Sequence, residues 1–339
     1  MQIRSFLRFA AFVAAMALIF AVSPLFAQRK ITIKLASLVP ENTPWGMVIN
    51  RMSTEWSQAT GGEVELAVYH NGVAGDETEV LRKLRMNQIQ AAVFTSIGLN
   101  SVTPEILTLS YPFLIRTDQE LNAVLGKLKP ELDAKMQQNG FVTLAWARAG
   151  WIKVFSRSPV YVPSDMRKLK VSASPSELEM IQAFKTMGYQ IVPLNLNDIL
   201  VSLNSGMVDV VWQSPIAVAG YQIFGVAKNM SSINVAPFMG GILMNNTAWR
   251  RIPDRHKSRL MAICKRIETE IEGSISKLEA EAISTMKKYG LTVCELSPRQ
   301  TQEWYEDMGR YESNLAGPVF NRELYHKIKA ILEDHRRGR

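Results

Sequence analysis

The side chains best suited to catalysis or metal binding are isolated from one another in this sequence. The four histidines, His70, His256, His326 and His335, form no pair four residues apart and none lies near a cysteine. This spacing predicts no metal site. Residues 274–277 fit a Ser-x-x-Lys pattern, but they fall within a predicted long helix and no Lys-Thr-Gly accompanies them. With no phosphate-binding loop or nucleophile elbow either, the sequence predicts a protein that is not an enzyme and needs no cofactor.

The only two cysteines, Cys264 and Cys294, are predicted to be free and buried. A helix starting before Cys264 carries the chain roughly 38 Å away before it turns back. The following strand returns at most about 17 Å. The two sulfurs therefore stay beyond disulfide reach.

Strand and helix patterns alternate twice along the chain. In the first half, strands are predicted at 31–36, 64–69 and 91–94, with helices after Thr43-Pro44 and at 76–85. After residue 150, strands are predicted from Val171 and at 191–194 and 208–212, with helices at 176–187 and 198–203. This order predicts two α/β units with parallel sheets covered by helices. Two such units joined by a hinge form a type II periplasmic binding protein, with a central ligand cleft between its two α/β domains.

One apolar stripe without proline predicts a long helix between Pro253 and Tyr289. Its members recur every three or four residues: Leu260, Ile263, Ile267, Ile271, Ile275, Leu278, Ala282, Met286 and Tyr289. A helix of that length extends roughly 55 Å, which is enough to cross both domains. A final helix is predicted from Ser297-Pro298 to Gly317-Pro318, with Trp304, Met308, Tyr311 and Leu315 facing inward.

Residues 1–27 have the pattern of a cleaved secretory signal peptide. Arg4 and Arg8 precede an apolar run from residue 9 to residue 22, and Leu25-Phe26-Ala27 offers a small-residue cleavage site. Because no cysteine lies near that site, no lipid anchor is predicted. The mature protein is therefore expected in the periplasm without membrane insertion. Its formal net charge of +8 falls to +6 when the two arginines leave. The remaining basic residues are scattered, which does not suggest nucleic-acid binding.

Several short motifs resemble the extracytoplasmic solute receptors of tripartite ATP-independent periplasmic (TRAP) transporters. They are PSDMRKLKVS at 163–172, Met187-Gly188, Val192-Pro193, NSGMVD at 204–209, TGGEV at 60–64 and YPFL at 111–114. The resemblance covers nearly the whole mature chain. It implies a receptor that captures a small-molecule ligand and delivers it to integral-membrane permease subunits, with the long helix packed across both domains. The expected domains are 28–149 with 238–277, and 150–237 with 278–339.

Three positions depart from the family pattern. Ser172 stands where the family has the arginine that binds the ligand's carboxylate. Residues 87–90 read NQIQ instead of Gly-x-Ile-Asp, and Val210 replaces the glycine after Val-Asp. The last two concern the backbone, whereas the first removes the carboxylate-binding side chain. We therefore expect an apolar or amphiphilic ligand.

The resemblance also implies which residues line the ligand cleft. Carried over position by position, they are Leu38, Trp45, Thr95, Ser96, Trp146, Arg148, Trp151, Ser172, Ser174, Trp212, Gln213, Ser214, Phe238 and Met239. The tryptophans, Phe238 and Met239 are expected to provide an apolar wall. In an alternative reading, Arg148 or Lys153 reaches into the cleft and replaces the missing arginine, which would restore carboxylate binding. Another alternative keeps the fold but not the permease, as in a sensor or a lipid carrier.

Overall fold

The computed structural model describes residues 30–338, so the predicted signal peptide lies outside the described residues. The strands are β1 Ile31–Ala36, β2 Val64–Tyr69, β3 Ala91–Thr95, β4 Phe141–Ser156, β5 Lys170–Ala173, β6 Gln190–Pro193, β7 Val210–Gln213, β8 Asn229–Ser231, β9 Ala236–Asn245 and β10 Thr292–Cys294. The helices are α1 Pro44–Ala59, α2 Glu77–Arg85, α3 Ser96–Asn100, α4 Asp118–Gln138, α5 Pro163–Met166, α6 Leu178–Thr186, α7 Ile199–Asn204, α8 Pro215–Gly220, α9 Asn246–Arg251, α10 Asp254–Lys288, α11 Pro298–Arg310, α12 Glu312–Leu315 and α13 Arg322–Arg337.

The strands form two sheet regions that share β4. The order is β2-β1-β3-β9-β4 and then β7-β5-β6, with β8 beside β4 and β10 beside β8. Strands β1, β2 and β3 are parallel, as are β5, β6 and β7, which confirms the predicted α/β order. Strand β9 is antiparallel to both β3 and β4, and β4 is antiparallel to β7. We call the β1–β3 and β9 region with its helices the first lobe, and the β5–β7 region with its helices the second lobe.

Strand β4 passes from one lobe to the other. It pairs with β9 as far as Ile152 and with β7 from Lys153 onward. A bulge between Arg148 and Trp151 interrupts its register, and Gly150 in that bulge has a φ of 93°. The predicted domain boundary at residue 150 falls in this bulge, and the division into two domains stays a prediction.

The sequence correctly predicted where the first helices begin. The Thr43 hydroxyl accepts a hydrogen bond from the N–H of Gly46, and Pro44 occupies the first turn of α1. The Asp76 carboxylate accepts one from the N–H of Glu79 at 2.8 Å and caps α2. These caps fix the start of each helix in the loop that follows a strand, and Thr43 and Asp76 both border the cleft.

Helix α10 confirms the predicted long helix and packs on both lobes. Leu260 and Ile267 are buried in the core beneath β1 and α1, and Met286 is buried with Phe155 and Leu203 in the second lobe. The end of the predicted stripe is wrong, because Tyr289 follows the helix and is 71% exposed. Cys264 and Cys294 are free and buried, as predicted.

The C-terminal part of the chain departs from the prediction. The expected final helix ends at Arg310 and continues only as the short α12. Among the helices that were not predicted, the two longest are α4, which has Pro130 inside it, and α13. Leu324, Ile328 and Leu332 of α13 pack into the first-lobe core beside α4.

Within residues 30–338, no helix is both long and apolar enough to cross a membrane.

Candidate functional site

A cavity of about 830 Å³ lies between the two lobes. The carboxyl ends of the parallel strands open onto it, because Thr95 ends β3, Ala173 ends β5 and Gln213 ends β7. Ligands of α/β sheets bind at this edge of the sheet. The wall contains these residues from the predicted set: Leu38, Trp45, Thr95, Ser96, Ser172, Ser174, Trp212, Gln213, Ser214, Phe238 and Met239.

The first-lobe wall is built from helix starts that follow strands. Thr95 caps α3, with its hydroxyl accepting from the N–H of Ile97 at 3.2 Å. Trp45 lies in the first turn of α1, and its indole Nε1 is buried without a hydrogen-bond partner among the described residues. Phe238 and Met239 of β9 border the cavity, but Met239 pairs with Arg148 and packs in the first-lobe core with Trp146 and Trp151. The described part of this wall therefore combines a free indole donor with apolar surface.

The second-lobe wall is polar at the strand ends and apolar behind them. The Ser174 and Ser176 hydroxyls lie 2.8 Å apart. The Ser214 hydroxyl caps α8 by accepting from the N–H of Ala217 at 3.3 Å. The Trp212 ring meets the Phe184 ring edge-on, with centroids 5.1 Å apart. Uncharged hydroxyls therefore share this wall with aromatic surface.

All charged side chains on the described cavity wall are acidic. They are Asp76, Glu77 and Glu177, and the wall includes no Lys, Arg or His from residues 30–338. Burial raises the pKa of Glu77, while hydrogen bonds from Thr95 and the N–H of Gly98 oppose that shift. Burial raises the pKa of Glu177 to about 7, and the charge of Glu77 adds to the shift. The described wall therefore offers an anionic ligand no positive counter-charge.

Trp146, Arg148 and Trp151, which the sequence predicts for the site, do not line the cavity. Successive side chains of a strand point to opposite faces, and here Ala147 and Ala149 face the cavity. The larger side chains point to the other face, toward α4 and α10. Trp146 donates its indole N–H to Asp133 at 2.8 Å, in the buried core of the first lobe.

Arg148 and Trp151 share one carboxylate behind the cavity wall. Both donate to Oδ1 of Asp118, at 2.6 Å and 2.8 Å. Burial alone would raise the pKa of Asp118, but these hydrogen bonds lower it below its usual value. Arg148 is therefore already paired with a carboxylate. It also lies on the face of β4 that points away from the cavity, so it does not replace the family arginine.

Lys153 is buried outside the described cavity wall. Its ammonium donates to the carbonyl of Ser232 at 2.9 Å and to Oδ1 of Asn234 at 2.8 Å. Burial lowers its pKa. In this structure neither proposed replacement cation reaches the cavity, because both are held by partners behind β4.

Two buried glutamates of α10 bind the backbone of β4 at its irregular points. Glu279 accepts from the N–H of Trp151 at 2.8 Å, and Glu268 accepts from the N–H of Trp146 at 3.0 Å. The register of β4 shifts just before each of these N–H groups. The carboxylates thus satisfy backbone donors that a bulged ladder leaves unpaired.

Sequence reasoning missed several residues of the cavity wall. Glu77, Glu177 and Tyr221 line it, together with Ala147 and Ala149. The Tyr221 hydroxyl donates to the carbonyl of Leu38 at 3.3 Å and so joins the second lobe to the first. Glu77 directly follows the cap of α2, which lies in the loop after a strand. This was the only local sequence pattern that pointed to its place on the cavity wall. The places of Glu177 and Tyr221 on the wall follow only from the way the two lobes pack together.

The comparisons with known proteins agree on one protein family. The sequence profile of the bacterial extracellular solute-binding protein family 7 matches residues 35–316. A C4-dicarboxylate-binding protein of Bacillus subtilis is 22% identical over 320 residues, covering 91% of this chain and 88% of the relative. A 2,3-diketo-L-gulonate-binding periplasmic protein of Escherichia coli is 23% identical over 296 residues, covering 86% of this chain and 88% of the relative.

Solved structures with the same fold include TRAP periplasmic solute-binding proteins. One from Xanthobacter autotrophicus, with bound β-D-galacturonate, has a TM-score of 0.80 at 18% identity and covers 89% of this chain and 99% of its own. One from Sulfurospirillum deleyianum, with bound succinate, has a TM-score of 0.81 at 21% identity and covers 88% of this chain and 98% of its own. At these identities the likeness shows the fold, and the bound acids are properties of those proteins.

Proposed function

The chain belongs to the bacterial extracellular solute-binding protein family 7, and we propose that its ligand is largely apolar and is held without a cationic side chain. TRAP receptors of this family bind solutes for transport rather than catalyse reactions, in agreement with the absence of catalytic motifs from the sequence. They are periplasmic proteins that work with membrane permease subunits. Delivery to such a permease is part of the proposal for this chain.

The observation that carries the proposal is the charge of the cavity wall. The described wall contains three acidic side chains and no basic one, and Ser172 offers only a hydroxyl. A charge-assisted hydrogen bond contributes roughly 1.5–3 kcal/mol, and a bidentate arginine makes two. Since about 1.4 kcal/mol changes affinity tenfold, losing one such bond weakens binding of a small acid at least about tenfold, and losing both weakens it at least about a hundredfold.

Apolar contact can supply the binding energy instead. Trp45, Trp212 and Phe238 contribute to the wall, and Ala147 and Ala149 leave room beside them. Burial of apolar ligand surface contributes about 25 cal/mol per Å². A cavity of about 830 Å³ falls within the usual size range of small-molecule sites.

Calorimetry with matched small compounds tests this proposal. We expect 1-octanol to bind at least tenfold more tightly than succinate or galacturonate, and neither acid to bind more tightly than about millimolar. Micromolar binding of either acid, lost in Arg148→Ala or Lys153→Ala, would establish a replacement cation and contradict the proposal.

A pair of tryptophan substitutions shows whether the cavity is the binding site. Ala149→Trp places an indole in the cavity and should abolish 1-octanol binding. Ala134→Trp adds the same indole to the exposed face of α4 and should leave binding unchanged. Equal binding by both variants would place the site elsewhere.

A further inference from the structure

Two glutamates face the cavity from opposite lobes. Glu77 begins α2 in the first lobe, and Glu177 immediately precedes α6 in the second lobe. Both carboxyl groups line the cavity, and the charge of Glu77 adds to the raised pKa of Glu177. The titratable groups on the described wall are these two, Asp76 and Tyr221.

The two glutamates differ in how far the protein itself uses them. The Glu77 carboxylate accepts hydrogen bonds from the Thr95 N–H and from the Thr95 hydroxyl at 2.8 Å, which holds the start of α3. Asp76 is likewise occupied as the cap of α2. Glu177 accepts only from the backbone N–H of Ser174 and has no ion-pair partner among residues 30–338. Glu177 therefore lines the cavity with a carboxyl group that has no charged partner in the described chain.

We propose that the apolar ligand carries a protonated amine, which binds between Glu177 and Glu77 while its hydrocarbon part lies against the aromatic wall. This inference rests on the proposed function and adds the chemistry of the ligand's polar end. A buried carboxylate near a second one is unfavourable without a counter-charge. An ammonium group between them removes that repulsion and supplies hydrogen-bond donors to both.

A small ligand suits this arrangement better than a resident metal ion. Residues 30–338 contain no group of three or more His, Cys, Asp or Glu side chains that could hold a metal. The buried indole Nε1 of Trp45 is also a donor without a partner in the described chain. The cavity therefore offers a carboxylate pair for an ammonium group and aromatic faces for the adjoining hydrocarbon.

The experiment compares octylamine, 1-octanol and octanoate, which share one chain and differ in charge. At pH 8 we expect octylamine to bind at least tenfold more tightly than either of the others by calorimetry. Between pH 8 and pH 6 its affinity should fall by up to about tenfold, because Glu177 becomes protonated while an alkylamine stays charged like Lys. The affinity for 1-octanol should not change in this way.

Glu177→Gln removes the charge with little change in shape, and its side-chain oxygen can still accept from Ser174. We expect it to weaken octylamine binding at least fivefold, to weaken 1-octanol binding by less, and to reduce the pH dependence, while an unfolding temperature close to the native value shows that the variant is folded. Glu179→Gln, on the exposed face of the same helix, is the matched control and should bind all three compounds like the native protein.

The remaining outcomes separate this inference from the function on which it rests. Equal affinity for octylamine and 1-octanol, unaffected by Glu177→Gln, overturns the amine and leaves the apolar cavity standing. Tightest binding of octanoate, or binding of none of the three, overturns both.

Discussion

At the scale of single residues, the ligand chemistry depends on which face of β4 each side chain occupies. Ala147 and Ala149 point into the cavity, while Arg148 lies between them and points to Asp118 on the other side. A shift of one residue in β4 would exchange these roles. The bulge at Gly150 and the carboxylate of Glu279 hold the present register.

Gly150→Ala should destabilise the protein more than Gly140→Ala. Both glycines have a φ of 93°, so both variants carry the strain of a left-handed residue, which costs roughly 1–3 kcal/mol. A Cβ at Gly150 would also lie 2.4 Å from the buried carboxyl carbon of Glu279, whereas Gly140 has open space. Denaturant unfolding should show Gly150→Ala at least about 1 kcal/mol less stable than Gly140→Ala. Equal losses would mean that the Glu279 contact does not constrain the bulge.

At the scale of elements, α10 connects the two lobes. Its apolar residues enter the cores of both, and its buried Glu268 and Glu279 bind the backbone of β4. Burial would raise the pKa of Glu268, but hydrogen bonds from Lys129, Lys265 and Trp146 bring it below its usual value. The helix therefore supports the cavity wall from behind.

Ile267→Asp should unfold the protein far more easily than a surface substitution on the same helix. Ile267 is buried among apolar side chains, so an aspartate there places an unpaired charge in the core and costs several kcal/mol. Thr269→Asp introduces the same side chain at an exposed position two residues later. Thermal unfolding should separate the two variants by many degrees. A melting temperature for Ile267→Asp within a degree or two of the native value would contradict the structural role of α10.

At the scale of the whole molecule, the cavity exists because two lobes meet. The elements that connect them include β4, which changes sheets; β9, which pairs along it; and α10. On the cavity side, the hydrogen bond from Tyr221 to the carbonyl of Leu38 joins the lobes directly. Such a layout permits hinge closure around a ligand.

Ligand binding should therefore make the molecule more compact. Small-angle scattering should give a smaller radius of gyration with saturating octylamine than without it, because closure brings the lobes together. The Ala149→Trp variant, with its cavity blocked, should show no change under the same conditions. An unchanged profile for the native protein at saturation would count against a large closure.

Local sequence patterns were sufficient to predict most of the framework. The alternation of strands and helices, the caps at Thr43 and Asp76 and the span of α10 follow from periodicity and capping chemistry, which act over a few residues. Local patterns fail to predict α4, because Pro130 lies inside it and proline usually ends a helix. Packing of α13 against α4 supports that helix from a distant part of the chain.

The sequence by itself determined the family, the order of the α/β elements and the absence of an arginine at Ser172. Only the tertiary structure decided what charge the cavity presents. Arg148 and Lys153 are turned away because strand parity and the bulge at Gly150 place them behind β4, beside Asp118 and Asn234. Glu77 and Glu177 line the same cavity although they are far apart in the chain, and this placement follows from the packing of the two lobes.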